Sequence, residues 1–168
     1  MNRRAWITGF LATALAGAAL ALEDAGKEKI GMVRVTVYYA TDGDPAAAGD
    51  KALPVAADVV ERLKREERLR FKHYRLLGRD TQPLLRSYES WAEPLKPSDE
   101  VMVRFEAQGL PCKKSAVLDL ELWLGRKKIV KTDTRLEGDK PLFMLGPEWR
   151  GGRLIIAVAL AKDEKTES

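Results

Sequence analysis

One cysteine and one histidine are all that this chain has of the two side chains most used in covalent and metal chemistry. A lone Cys112 cannot close an internal disulfide. In an oxidising compartment it must be buried, free or paired with another chain, so the fold has to stand on its core. It also lies far from the N-terminus, where a lipoprotein anchor would need it. With His73 it cannot build a structural zinc site without carboxylate help, so zinc is not expected, and no cofactor is expected either. None of Ser87, Ser90, Ser98 and Ser115 is bracketed by glycines in the G-x-S-x-G manner, and His73 is flanked by Lys72 and Arg75, which oppose its protonation. No catalytic set is legible.

Charge of one sign is also scarce. The formal charge is +4, but Arg3 and Arg4 sit at the extreme N-terminus, and without them 27 basic residues face 25 acidic ones. So balanced a surface gives no whole-molecule attraction to nucleic acid. Those two arginines precede an uncharged run from Ala5 to Leu20, ending in an A-x-A pattern at Ala19 and Ala21. That is the layout of a secretory signal, and cleavage is expected after Ala21. A retained anchor is the competing reading, but the run is at the short limit for a span. The expected organisation is a signal peptide at 1–21, one domain at 22–161 and a disordered polar tail, KDEKTES, at 162–168. A periplasmic or secreted location follows, with no stable membrane span in the mature chain.

What the chain has in quantity is alternation. Val33, Val35, Val37 and Tyr39 fall on one face of a strand, with Arg34, Thr36 and Tyr38 on the other. Val101, Val103, Phe105 and Ala107 repeat the pattern, as do Leu118, Leu120, Leu122 and Leu124 against Asp119, Glu121 and Trp123. Gly125-Arg126-Lys127 reads as a hairpin turn into KIVKTDTRL, and Gly138-Asp139 leads into PLFML. Leu154 to Leu160 is apolar on both faces and predicts a central, covered strand. LRFKHYRLL and QPLLRSYESW read as two strands divided by a turn at Gly78-Arg79-Asp80. Between the first two strands, Val55, Val59 and Leu63 recur at helical spacing, with Pro54 suited to the first turn and an end near Arg68. The fold class expected is α+β and strand-rich: one antiparallel-dominated β domain, a sandwich or strongly curved sheet of about seven strands, with one amphipathic helix after the first strand.

Candidate binding residues are few. Glu148, Trp149 and Arg150 stand between Gly146-Pro147 and Gly151-Gly152, and with Trp123 and Tyr88 they supply the carboxylates and aromatic faces of a sugar-binding surface. The plainer alternatives put Trp123 beneath a second layer or the helix and Trp149 over a turn. A hydrolase would need Glu148, Arg150 and His73 in one pocket. Arg62, Arg65, Arg68, Arg70 and Lys72 form a basic stretch around Phe71 and Tyr74, suited to an anionic partner or to a solvated helix face. Asp42, Asp44 and Asp50 share one loop and are the calcium candidate, although Pro45 and three alanines break the EF-hand pattern.

The stretches VRVTVYYATDGD, LRFKHYRLLGRDTQPL, KTDTRL and PLFMLGPEWRGGRLIIAVAL resemble a family of small, signal-peptide-bearing bacterial proteins of unknown function. That resemblance implies an envelope or secreted location and a shared scaffold, and it brings no activity or site residue. The function expected is a non-catalytic interaction module of the cell envelope, binding a protein partner through a sheet edge or loop surface. A carbohydrate-binding module on Trp149, Trp123 and Tyr88, with an envelope polysaccharide as partner, is the alternative. A hydrolase with an unrecognised site is the third.

Overall fold

The computed structural model describes residues 24–161 except Lys113 and Asp139, so the expected signal peptide and polar tail lie outside the described residues. In chain order the elements are β1 (Lys29–Thr41), β2 (Leu53–Pro54), α1 (Ala57–Arg65), β3 (His73–Leu85), β4 (Ser90–Ala92), β5 (Val101–Ala107), β6 (Ser115–Leu124), β7 (Lys127–Glu137), β8 (Leu142–Trp149) and β9 (Gly152–Ala161). They form a five-stranded sheet ordered β2-β3-β1-β9-β8 and a four-stranded sheet ordered β4-β5-β6-β7. All the pairings are antiparallel. The molecule is a strand-dominated α+β domain.

The alternating positions become the contact between the sheets. Val33, Val35 and Val37 of β1 and Leu154, Ile156 and Val158 of β9 meet Val101, Val103 and Phe105 of β5 and Leu118, Leu120 and Leu122 of β6, all fully or almost fully buried. Each such side chain contributes about 1.5–3 kcal/mol of transfer free energy. A second, smaller core lies on the opposite face of the five-stranded sheet. There Tyr38, Ala40, Ile155 and Ala157 receive Leu63 of α1, Leu69 of a following 3-10 turn, and Tyr74. This explains why β9 carries no polar side chain from Leu154 to Leu160, for it is buried on one face by a sheet and on the other by the helical layer. Among the described residues no helix is long and apolar enough to cross a membrane.

Four expectations are corrected. Gly78-Arg79-Asp80 is no turn: β3 runs unbroken through it, and the step from Val37↔Gly78 to Tyr38↔Leu76 leaves Leu77 as an extra, bulged residue. Glycine is needed because a Cβ at position 78 would stand 1.9 Å from the carbonyl oxygen of Pro94. Pro54 does not open the helix but pairs with Arg75 in the short edge strand β2, where a residue without an N–H is tolerated. The helix spans Ala57–Arg65, and only a separate 3-10 turn at Glu67–Leu69 carries on toward Arg68. Trp123 does not lie under the helix, because α1 packs on the five-stranded sheet and Trp123 faces outward from the other.

Candidate functional site

Arg150 and Gly151, at φ 47° and 75°, make the two-residue turn between β8 and β9, the left-handed pair that a tight hairpin demands. A positive φ at arginine costs on the order of 1 kcal/mol, and the surroundings hold it. The Tyr39 hydroxyl donates to the Arg150 carbonyl at 3.0 Å, and the Thr41 hydroxyl to that of Gly151 at 3.4 Å. The Arg150 guanidinium stacks over the Trp149 ring, 4.3 Å from its centroid. Trp149 in turn meets Tyr39 edge-on at 5.7 Å and donates its indole N–H to Glu100 at 3.1 Å. Gly152 lets Tyr39 lie flat there, since a Cβ would stand 2.5 Å from that ring. Trp149 therefore packs partly buried against the main core, and its remaining surface lines a recess with its neighbours Glu148 and Arg150.

Glu148 and Arg150 are exposed beside it and line a recess of about 480 Å³ together with Asp42, Phe71 and Arg153. Arg153 donates to the Gly146 carbonyl at 3.1 Å, while its Nε is buried without a partner among the described residues. His73 is exposed at the start of β3, opposite Thr41, and is not among the residues that line this recess.

A different cluster, not assembled by sequence reasoning, covers the outward face of the four-stranded sheet. Cross-strand register sets Trp91, Arg104, Glu121 and Lys131 in one rank across β4, β5, β6 and β7. Arg104 bonds Glu89 at 2.5 Å and Glu106 at 2.8 Å, and approaches Asp119 at 3.6 Å and Glu121 at 3.9 Å. Lys128 reaches Glu121 at 2.8 Å and Lys131 reaches Asp119 at 3.0 Å. Above the rank Trp91 and Trp123 lie 5.9 Å apart, and the Lys128 ammonium sits 5.2 Å from the Trp123 centroid.

Glu121 is only 4% exposed although its strand face looks outward. The hydrogen bond from Lys128 pulls its carboxyl down to about 2, and the Trp123 indole N–H and the charges of Lys128 and Arg104 help to outweigh burial, which would raise it. It is thus an ionised acceptor at neutral pH. Asp119, at 9% exposure, keeps one buried oxygen unpartnered among the described residues. The signal for this cluster in the sequence is opposite charge at alternate positions of neighbouring strands, which needs the register before it can be read.

The remaining candidates are dispersed. Tyr88 is exposed and donates to Asp24 at 2.6 Å, making no ring contact with Trp123 or Trp149. Arg62, Arg65, Arg68, Arg70 and Lys72 are all exposed. They do not share one surface, for Arg68 lines a groove with Glu66 and Glu67, and Arg62 lines a separate recess with Arg34 and Arg79. Asp42 accepts the backbone N–H of Lys72 at 2.9 Å, and Asp44 caps the 3-10 turn at Pro45–Ala48 by accepting that of Ala46 at 2.8 Å. Among the described residues no group of three or more His, Cys, Asp or Glu, with or without Asp50, could hold a metal ion. Cys112 is an exposed free thiol. Comparison with protein families, curated proteins and solved structures finds no match to this chain.

Proposed function

We propose that this chain is an exported, non-catalytic interaction module, and that it binds a partner protein by adding an extended segment of that partner to the free edge of β8. One observation carries the reading. Of the four strands that end the two sheets, β2 and β4 are two and three residues long, and β7 bears Lys127, Lys128 and Lys131 and a bulge at Ile129. Short length, lysines and bulges are the devices by which edges are protected. Among the described edge strands only β8 presents a long uncharged run, Leu142 to Pro147.

Beside that edge lies a groove of about 650 Å³, whose apolar wall is Leu69, Leu142, Phe143 and Leu145 and whose rim is Glu66, Glu67 and Arg68. A partner strand would bond the outward backbone groups of Leu142–Leu145 and lay alternate side chains into the groove. It would stop at Pro147, which has no N–H to offer and lies at the bulge between Leu145 and Glu148. The two glutamates on the rim favour a segment with a basic residue beside its apolar ones. The sugar-binding alternative is favoured by the Trp91–Trp123 pair and by Trp149, which lines a recess with Glu148 and Arg150.

The test is selection from a displayed library of random decapeptides, followed by amide hydrogen exchange on the complex. Bound peptides should alternate apolar residues, and the amides of 142–145 should exchange at least about tenfold more slowly. Protection confined to any other strand would overturn the reading.

A further inference from the structure

The helix-facing side of the five-stranded sheet is only partly covered by α1, and the uncovered part is cationic. Register aligns Arg79 of β3, Thr36 of β1, Ala157 of β9 and Phe143 of β8 in one rank, with Arg34 paired to Ala159 in the next. The two alanines leave a depression between larger neighbours, and Val59 and Arg62 of α1 close it from above. The result is a pocket of about 180 Å³ presenting three guanidinium groups, Arg34, Arg62 and Arg79, and the hydroxyl-bearing side chains of Thr36 and Tyr38. Thr36 and Tyr38 are 5% and 7% exposed, so the floor is fixed. Among the described residues none of the three arginines has a carboxylate within ion-pairing distance, unlike Arg104 and Arg86 elsewhere in the molecule. Asp58, one helical turn before Arg62, is near enough to act on the Tyr38 hydroxyl, yet it does not line the pocket and pairs with none of the three arginines.

Three like charges gathered with no carboxylate in direct contact repel one another, and a fixed hydroxyl floor does nothing to neutralise them. We infer that this pocket binds a compact dianionic oxyanion, a phosphate group, held by Arg34, Arg62 and Arg79 with Thr36 at its base. Arginine suits the task because its planar fork donates two parallel hydrogen bonds to one oxyanion. A single carboxylate would leave most of the positive charge unmet. The volume admits a phosphate head and excludes a folded segment. The group can belong to free phosphate or to the end of a larger ligand, and the chemistry of capture is the same. This site lies beyond the strand-addition reading and does not depend on it.

The test is calorimetric titration at constant ionic strength with inorganic phosphate and, separately, with phosphoserine. Wild-type protein and Arg126→Gln, which removes an exposed arginine in the β6–β7 turn, should both bind at one site. Arg34→Gln and Arg79→Gln should each weaken binding by at least about tenfold, the usual cost of losing a charge-assisted bond. If either loses its fold, Arg62→Gln on the exposed side of α1 serves in its place. Tighter binding of phosphoserine than of phosphate would assign the group to a larger ligand, and equal binding would assign it to the free ion. Unchanged affinity in the arginine variants would overturn the inference, as would equal heat from chloride. So would binding that appears only in Asp163→Asn/Glu164→Gln, which would give the pocket to the chain's own acidic tail.

Discussion

Glu121 is held as an anion on a sheet face by Lys128, Trp123 and Arg104, and that arrangement couples folding to acid. Its carboxyl titrates at about 2 in the folded chain against 4.5 for a free side chain. A depressed value means that the folded state binds this proton less readily than the unfolded state. The stabilisation is complete above the unfolded value and disappears as pH falls from about 4.5 toward 2. Glu121→Gln should lower the melting temperature at pH 7, and the gap from wild type should narrow as pH falls toward 2 and close only below it. Thermal melts across that range decide it, and parallel curves would show that the network contributes no proton linkage. A residual slope in the variant is expected from Glu89, lowered first by its hydrogen bond from Arg104. None of these pairings is visible along the chain, because Glu89 stands just before β4 while Arg104, Glu121 and Lys131 come from three strands and meet only through register.

At the scale of elements, β3 and α1 show where local pattern and tertiary demand part company. Gly78 looks like turn chemistry, yet it sits inside a strand because the Pro94 carbonyl passes where a side chain would be. Asp80, two residues on, accepts the Glu93 amide at 2.8 Å and faces Lys96 at 3.5 Å, fastening β3 to the segment after β4. Gly78→Ala should therefore cost about 3 kcal/mol, the scale of an overpacked core site, measured by urea denaturation. A cost under about 0.5 kcal/mol would mean that the 93–96 segment yields freely. The alternating strands β1, β5 and β6 were legible because each buries one face in a single core. The helix was legible as a stripe but not in its limits, since Pro54 is drawn into an edge pairing by Arg75. As α1 is anchored chiefly through Leu63, Leu63→Ala should raise amide exchange in 57–65 well above that of β1 and β9. Uniform acceleration across the molecule would place α1 in the same cooperative unit as the sandwich.

Seen whole, the molecule has two cores that share one five-stranded sheet, and both draw on β1 and β9. The class of fold followed from alternation alone. The division into two sheets did not, because nothing local says that β3 and β4 part company while β5 to β7 continue together. Candidate site residues fared differently for the same reason. Trp149 was conspicuous in its glycine-rich setting, and that setting is the geometry of a hairpin locked by Tyr39 and Thr41. Arg34 and Arg79 were inconspicuous because each is merely the polar half of a strand. The pairing of Met32–Ala40 with Arg153–Ala161 carries a further consequence, for the pathway by which the chain acquires its shape. The strand that completes β1 is the last of the described strands, some hundred and more positions later. Until it arrives β1 has only one neighbour, and each core lacks the side chains that β9 supplies, Leu154, Ile156 and Val158 in one and Ile155 and Ala157 in the other. Contacts this distant in sequence slow folding. The sheet β4-β5-β6-β7 can pair in chain order as it emerges, but the five-stranded sheet stays open beside β1 until β9 has been made.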